Sequence, residues 1–316
     1  MEIITRPDMT AAPVAATIGM FDGVHRGHVW LIDRLKEFAA RRGLDTAVVT
    51  FTNHPRNVLR PDAGMPLIMP LPRRIDLLAA TGIDRIVLMD FTPELSMLDS
   101  AGFMELLSSH YGTAALLMGY NHRFGHNRDE RFSDYVDCGR SLGIEVERAD
   151  EYRGDFAPIS SSIVRRLLND GDVATAADKL GRHFGLCGTV VHGFARGRDI
   201  GFPTANVDVA DTRLIVPRDG VYAVTVTLPD GSTHGGMANI GIRPTFNDGA
   251  RRSIEIHIFG FDADIYGAEI EVRFIHRLRD ERAMGSVEEL KAQLCADLEA
   301  AKHRLSMHDN LNHPII

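Results

Sequence analysis

The sequence predicts two domains of different class: an α/β domain on a parallel sheet over residues 1–184, and a small antiparallel β-barrel with a C-terminal helix over 185–306. Three observations predict this. Apolar runs alternate with helical patterns through the first half. From Gly188 onward the chain turns to short β-rich segments, with no helical pattern between them. One capped helix then follows, and residues 307–316 remain as a loosely held tail.

In order along the chain, strands are expected at Val14–Met20, Thr46–Phe51, Arg85–Asp90 and Ala114–Met118. Helices are expected between and after them, at Val29–Arg41, Arg73–Ala80, Phe103–Tyr111 and Phe132–Leu142. In the first helix Leu31, Ile32, Leu35, Phe38 and Ala39 recur at helical spacing. Such alternation builds a doubly wound, Rossmann-like parallel sheet, whose ligands lie at the carboxyl ends of the strands. Two shorter helices, Ser161–Asn169 and Val173–Leu180, lead to a boundary near Arg182–Leu186. Beyond it come "GTVVHG", "GVYAVTVTL", "HGGMANIGI", "RSIEIHIFGF" and "AEIEVRFIHRL". "LPDGS" (228–232) and "FNDGA" (246–250) separate some of them with Asp-Gly pairs typical of hairpins, so a small barrel is expected. In the last helix Ser286 and Glu289 form a capping box, and Leu290, Leu294, Leu298 and Ala301 form the apolar stripe.

Composition narrows the function. The chain has 316 residues, 44% of them hydrophobic and 25% charged, as in an ordinary globular protein with room for two cores. A net charge of −8 and a pI near 5.9 argue against a nucleic-acid protein, so a phosphate-bearing ligand must be met by local groups. Cys138, Cys187 and Cys295 lack CxxC spacing, which excludes a thiolate zinc site by pattern and suggests reduced thiols. No signal-peptide pattern opens the chain and no apolar run approaches the roughly 20 residues of a membrane helix, so a cytoplasmic protein without membrane partners is expected.

The first chemical constellation is "TIGMFDGVHRGHVWLIDRL" (17–35). A strand end at Gly19, a turn through Phe21, Asp22 and Gly23, and a helix start place backbone N–H groups where phosphate is attracted. His25 and His28 would stand beside those groups, and the bare Gly23 and Gly27 let a nucleotide approach the backbone. Read alone, a bare H-x-x-H more often caps a helix or faces solvent, and no further zinc ligands accompany it. Three other polar turns fall at strand ends or helix starts. "FTNHPR" (51–56) is one; "GYNHRFGHNRDE" (119–130) offers Asn121, Arg123 and Arg128; "ISSSIVRRLL" (159–168) offers Ser160, Ser161, Ser162 and Arg165. Together they would form one phosphate-binding edge.

The second constellation is "HGFARGRDIGFPTAN" (192–206). No GxxxxGK[ST] exists, which excludes a P-loop kinase. Gly193, Gly197, Arg198 and Gly201 make a Gly-Arg segment able to wrap phosphates through its backbone. Thr204 and Asn206 place two neutral oxygens on one side of an extended segment, a donor set suited to Mg²⁺ completed by nucleotide phosphates, or else they belong to a simple turn. Glu255 lies opposite the apolar Ile254, Ile256 and Ile258 face of its strand, where most glutamates are merely solvated.

"GMFDGVHRGH", "GYNHRFG" and "SSSIVR" resemble the FAD synthetase module of bacterial bifunctional riboflavin kinase/FAD synthetases, whose nucleotidyltransferase half is named for a His-x-Gly-His type motif. "GRDIGFPTAN", "GVYAV", "NIGIRPTF", "SIEIHI" and "DIYG" resemble, in order, the flavokinase module of the same enzymes, and the likeness spans about residues 18 to 302. Asn121 stands where many relatives carry Asp, and Ser162 where Thr is common. The resemblance implies that His25 and His28 bind ATP phosphates and stabilise the transition state, while Asn121 and Arg165 hold the nucleotide and the attacking FMN phosphate. It implies that Glu255 is the general base on the ribityl hydroxyl and that Arg243 and Phe246 line the flavin. Riboflavin, FMN, FAD, ATP, ADP and pyrophosphate are then the small-molecule partners. Mg²⁺ accompanies ATP as co-substrate, no tightly bound prosthetic group is implied, and weak self-association stays open. The rivals are another adenylyltransferase of the superfamily, which leaves the second half without a role, and a flavin-binding regulator with inactive sites.

Overall fold

The computed structural model describes all residues except 9–10, 127–128, 194–196, 198–199, 244–250 and 310–316, and omits the side chains of Ala63, Ile242, Arg243, Arg251, His308 and Asp309. The chain divides into two compact units, Met1–Ser161 and Ser162–Ile316.

The first unit runs β1 (Glu2–Ile4), β2 (Val14–Ile18), α1 (Arg26–Ala40), β3 (Asp45–Phe51), α2 (Pro55–Leu59), a 3-10 turn at Pro61–Ala63, α3 (Leu71–Ala80), β4 (Arg85–Met89), α4 (Pro93–Ser96), α5 (Ser100–Tyr111), β5 (Thr113–Met118), α6 (Phe132–Leu142) and β6 (Glu145–Arg148). All neighbouring strands are parallel, in the order β1-β4-β3-β2-β5-β6. Ile32, Leu35 and Phe38 of α1 and Leu78 of α3 pack on Ala15, Val48 and Ile86. Phe103 and Leu107 of α5 and Tyr135 of α6 pack on Ala16, Val49 and Leu116 from the other side. Burial on both faces is why these strands read as unbroken apolar runs. The expected α/β class is therefore observed. From β2 the order proceeds to β3 on one side and β5 on the other, so the crevice of a doubly wound sheet opens at the carboxyl end of β2.

β1 and β6 were not legible as strands. β1 has three residues, largely exposed, and in β6 only Val146 is buried, so neither carries a usable apolar period. α1 begins at Arg26, three residues before the apolar pattern expected from Val29, because His25 caps it.

The second unit takes in α7 (Ser161–Asp170), which begins on the last residue of the first unit, then α8 (Val173–Leu180), β7 (Phe184–Val191), β8 (Ala205–Asp208), β9 (Gly220–Thr227), β10 (Thr233–Arg243), β11 (Arg251–Ile258), β12 (Glu269–Arg279) and α9 (Val287–Asp309). The six strands close into an antiparallel barrel in the order β10-β11-β8-β7-β12-β9, as expected. Ile254, Ile256 and Ile258 form the buried face of β11. Ala301 and Leu305 of α9 pack on Ala223, Met237 and Ile275 of the barrel wall. Arg279 clamps this helix with a paired contact to Asp297 at 2.7–3.1 Å, and Asp297 is 3% exposed. The cap differs from the expected box in one partner: Glu289 N donates to Ser286 Oγ at 3.1 Å, while the Glu289 carboxylate accepts from Gly285 N at 2.8 Å. α9 also runs to Asp309, into the segment expected as tail.

Candidate active sites

In the first unit three polar turns leave adjacent parallel strands at the same edge. "GMFDGVH" follows β2, "TNHPR" follows β3 and "GYNHRFG" follows β5. The fourth turn is tied to them, since Ser161 Oγ donates to Asp22 O at 2.8 Å.

The β2–α1 turn is strained. Phe21 and Val24 have φ of 50° and 35°, and Gly23 has φ of 89°. A non-glycine residue in that region costs about 1–3 kcal/mol, and Val24 is β-branched, so surrounding structure must hold the turn. Phe21 and Asp22, expected among the phosphate-binding residues, are each 1% exposed: their side chains face inward and brace the turn. The Asp22 carboxylate accepts from Ile68 N at 3.0–3.1 Å. Gly19 N donates to Val49 O at 3.0 Å, and a Cβ on Gly19 would come within 3.0 Å of the Phe21 ring.

His25 is the N-cap of α1: its Nδ1 accepts from His28 N at 3.2 Å. Capping and ligand binding were alternatives in the sequence, and the cap is observed. It also fixes the ring, and His28 stacks on it with centroids 3.6 Å apart and planes 13° apart. His28 leans on Phe21 at 5.0 Å. A Cβ on Gly27 would lie 3.3 Å from the His25 ring, so the glycine leaves room for the stack. Two imidazoles are thus held side by side at the positive end of a helix dipole, an arrangement that favours an anion.

Asn121 and Arg123 are exposed in the turn after β5, and Ser160 and Ser161 are half-buried. Between Asn121 and Arg123 sits His122, half-buried, with its Nε2 lacking a hydrogen-bond partner among the described residues. Desolvation pulls its pKa from 6.5 to about 4, so this ring is neutral near pH 7. Arg128 lies outside the described residues. Ser162 and Arg165 belong to the second unit, where Ser162 is exposed on α7 and Arg165 is 7% exposed.

Within the second unit, Glu255 on β11 pairs with Asn206 of β8 on one side and Asn239 of β10 on the other. Directly opposed residues share a face, so the carboxylate stands in a row of two neutral amides, away from the buried isoleucines. Asn206 is 8% exposed. A Cβ on Gly193 would sit 2.0 Å from Asn206 Nδ2, so this glycine is required for the amide to lie where it does. Gly197 O accepts from Phe202 N at 2.8 Å, closing the turn that carries Gly201 at φ of 85°. A cavity of about 530 Å³ lies beside this turn, lined by residues including Val190, Thr204, Ala205, Ile256, Asp262 and Tyr266. Tyr266 stacks on His192 with centroids 3.8 Å apart. Thr204 and Ala205 line the cavity, whereas Asn206 and Glu255 lie in the neighbouring row and not in its lining. Arg198 and Phe246 fall outside the described residues, as does the Arg243 side chain.

Thr204 and Asn206 offer hard, neutral oxygens, and the Asn206 amide is held against Gly193, filling the room that a side chain there would take. That donor set suits a divalent cation shared with phosphate oxygens. Asn239, the His192–Tyr266 stack and the buried Arg74 were not found from sequence. Only Arg74 left a signal, a charge within the apolar stripe of α3.

Two family models match the chain. One, described as FAD synthetase, covers residues 8–163; the other, described as riboflavin kinase, covers 180–305. Relatives named bifunctional riboflavin kinase/FMN adenylyltransferase match over most of their length. The Pseudomonas fluorescens protein is 37% identical over 91% of each chain, that of Listeria monocytogenes 36% over 93% of each, and that of Escherichia coli 36% over 89% of each. A crystal structure described as a macrolide-efflux protein from Streptococcus pneumoniae superposes with a TM-score of 0.82 at 30% identity, covering 95% of this chain and 98% of that one. Among the described residues no helix is long and apolar enough to cross a membrane.

Proposed function

The chain belongs to the bifunctional riboflavin kinase/FMN adenylyltransferase family, and we propose that each unit's constellation carries one of the two activities. The barrel unit phosphorylates riboflavin with ATP to give FMN. The α/β unit transfers the adenylyl group of ATP to FMN, giving FAD and pyrophosphate. The observation that carries this reading is that both family models match one chain, each over a unit whose motifs gather at one edge or one face. The regulator with inactive sites finds no support among the relatives.

The two reactions ask for different groups. In the kinase step the nucleophile is a neutral hydroxyl, and Glu255 takes its proton as oxygen attacks the γ-phosphorus. Thr204 and Asn206 would hold Mg²⁺, which when bound neutralises charge on the triphosphate. Gly193, Gly197, Arg198 and Gly201 wrap the phosphates, and the cavity beside Thr204 takes the nucleotide. Arg243 and Phe246 line the flavin. In the adenylyl step FMN supplies an anionic phosphate, so no base is needed. His25, His28 and the α1 N-terminus stabilise charge that builds at the α-phosphorus and on the departing pyrophosphate. Asn121, Arg123, Arg128, Ser160 and Ser161 position ATP and FMN. On this reading residues 1–184 serve the adenylyl step and 185–306 the kinase step, with 307–316 as a tail. The protein acts in the cytoplasm, a reading supported by its three free cysteines.

Incubation with riboflavin, ATP and magnesium tests the proposal. Chromatography is expected to show FMN first and FAD later, with both lost on chelation of the metal. Failure to consume ATP with any divalent cation would overturn it.

A further inference from the structure

The first unit contains a buried pair of opposite charges that the chemistry above does not use. Arg74 on α3 is 3% exposed and Asp22 in the β2–α1 turn is 1% exposed. Arg74 Nη1 donates to Met20 O at 2.9 Å, and Nη2 donates to Phe51 O. Met20 O also accepts from Thr50 Oγ1 at 3.2 Å. Through its carboxylate Asp22 accepts from Ile68 N, just before α3, and through its carbonyl from Ser161 Oγ. Burial lowers the pKa of Arg74 while the nearby Asp22 charge opposes that fall, and the hydrogen bonds of both side chains go to backbone around the same turn. The pair therefore joins the ends of β2 and β3, the segment leading to α3, and Ser161.

Everything it joins borders the turn that carries His25 and His28. Residues with left-handed backbone, such as Phe21 and Val24, persist only where their surroundings over-determine them.

We infer that Arg74 and Asp22 are a positioning pair for adenylyl transfer, fixing the β2–α1 turn so that the stacked histidines meet the transferring phosphate without either charge touching substrate. This rests on the adenylyltransferase reading of the unit. The residue type follows from the task. Two carbonyls on neighbouring strand ends need two donors in a fixed fork; guanidinium supplies them, whereas an ammonium is a single point of charge and an apolar side chain donates nothing. A turn displaced by about 1 Å loses on the order of 10²-fold in rate even when substrate still binds.

The test uses the full chain as wild type, Arg74→Lys, Arg74→Met, Asp22→Asn and the Arg74→Met/Asp22→Asn double variant. For each, kcat and KM for FMN adenylylation are measured, with riboflavin phosphorylation and circular dichroism on the same preparations. Arg74→Met is expected to lower kcat for FAD formation about 10- to 100-fold, with KM for ATP within about threefold and the kinase rate within about twofold. Arg74→Lys should recover part of the loss, and the double variant should lose less than the product of the two single losses. A folded Arg74→Met protein that forms FAD within twofold of wild type overturns the inference, as does a loss that merely tracks the loss of helix signal. Should Arg74→Met not fold, Arg74→Lys and Asp22→Asn are judged by the same criteria. Wild type that makes FMN but no FAD would refute the adenylyltransferase reading itself.

Discussion

The two candidate sites use charge in opposite ways. Around the β2–α1 turn the acid, Asp22, is 1% exposed and accepts from Ile68 N near Arg74, while the groups at the helix start are two imidazoles, backbone N–H groups and Arg26. On the barrel the acid, Glu255, is set in a row between two neutral amides. Under the proposed assignment of the two activities, the difference would follow the nucleophile. A phosphate that is already an anion needs its repulsion relieved and its leaving group stabilised; a hydroxyl needs its proton removed.

The comparison breaks most visibly at Glu255. Glu255→Gln is expected to slow riboflavin phosphorylation by about 10² to 10⁴, while FAD formation from supplied FMN stays within twofold; the two rates measured on one preparation decide it. His28→Ala should do the converse, costing FAD formation about 10² to 10³ by loss of one preorganised donor and sparing the kinase. A smaller effect is expected at Gly193. Gly193→Ala forces the buried Asn206 amide to turn aside, because the new Cβ would lie 2.0 Å from it. Titration of kinase rate with magnesium should then show a requirement raised by on the order of tenfold, about 1.4 kcal/mol, with adenylylation unchanged.

The smallest effect belongs to His122 and sharpens the contrast through stability. In the folded unit this imidazole takes up a proton only near pH 4, whereas in the unfolded chain it does so near 6.5. Between these values the unfolded chain binds more protons, so acid shifts the balance toward unfolding. Above pH 6.5 the contribution is fully present, and it is lost as pH falls toward 4. Because the ring is half-buried, roughly 1–2 kcal/mol is at stake. Denaturation of His122→Phe should show a flatter acid limb than wild type over that range.

The fold class was readable because burial on both sheet faces leaves continuous apolar strands, and because Asp-Gly pairs announce hairpins. β1, β6 and β8 were not, since they have three or four residues each and too little periodicity to register. The histidine pair was visible as a motif, but its stacking depends on His25 serving as the cap, which spacing alone left undecided. Asp22 was read within the phosphate-binding turn; its contact with Ile68 and its nearness to Arg74 span 46 and 52 positions, beyond any local pattern. Glu255 looked like any strand glutamate; only register places Asn206 and Asn239 on either side of it.

Division of labour between two separable sites is tested most directly by mixing the two inactivated proteins. Glu255→Gln alone and His28→Ala alone should each fail to convert riboflavin to FAD with ATP and magnesium. Combined in one tube they should form FAD, FMN passing through solution from the second variant to the first. A mixture that accumulates FMN but no FAD, or either variant completing the conversion by itself, would contradict the account.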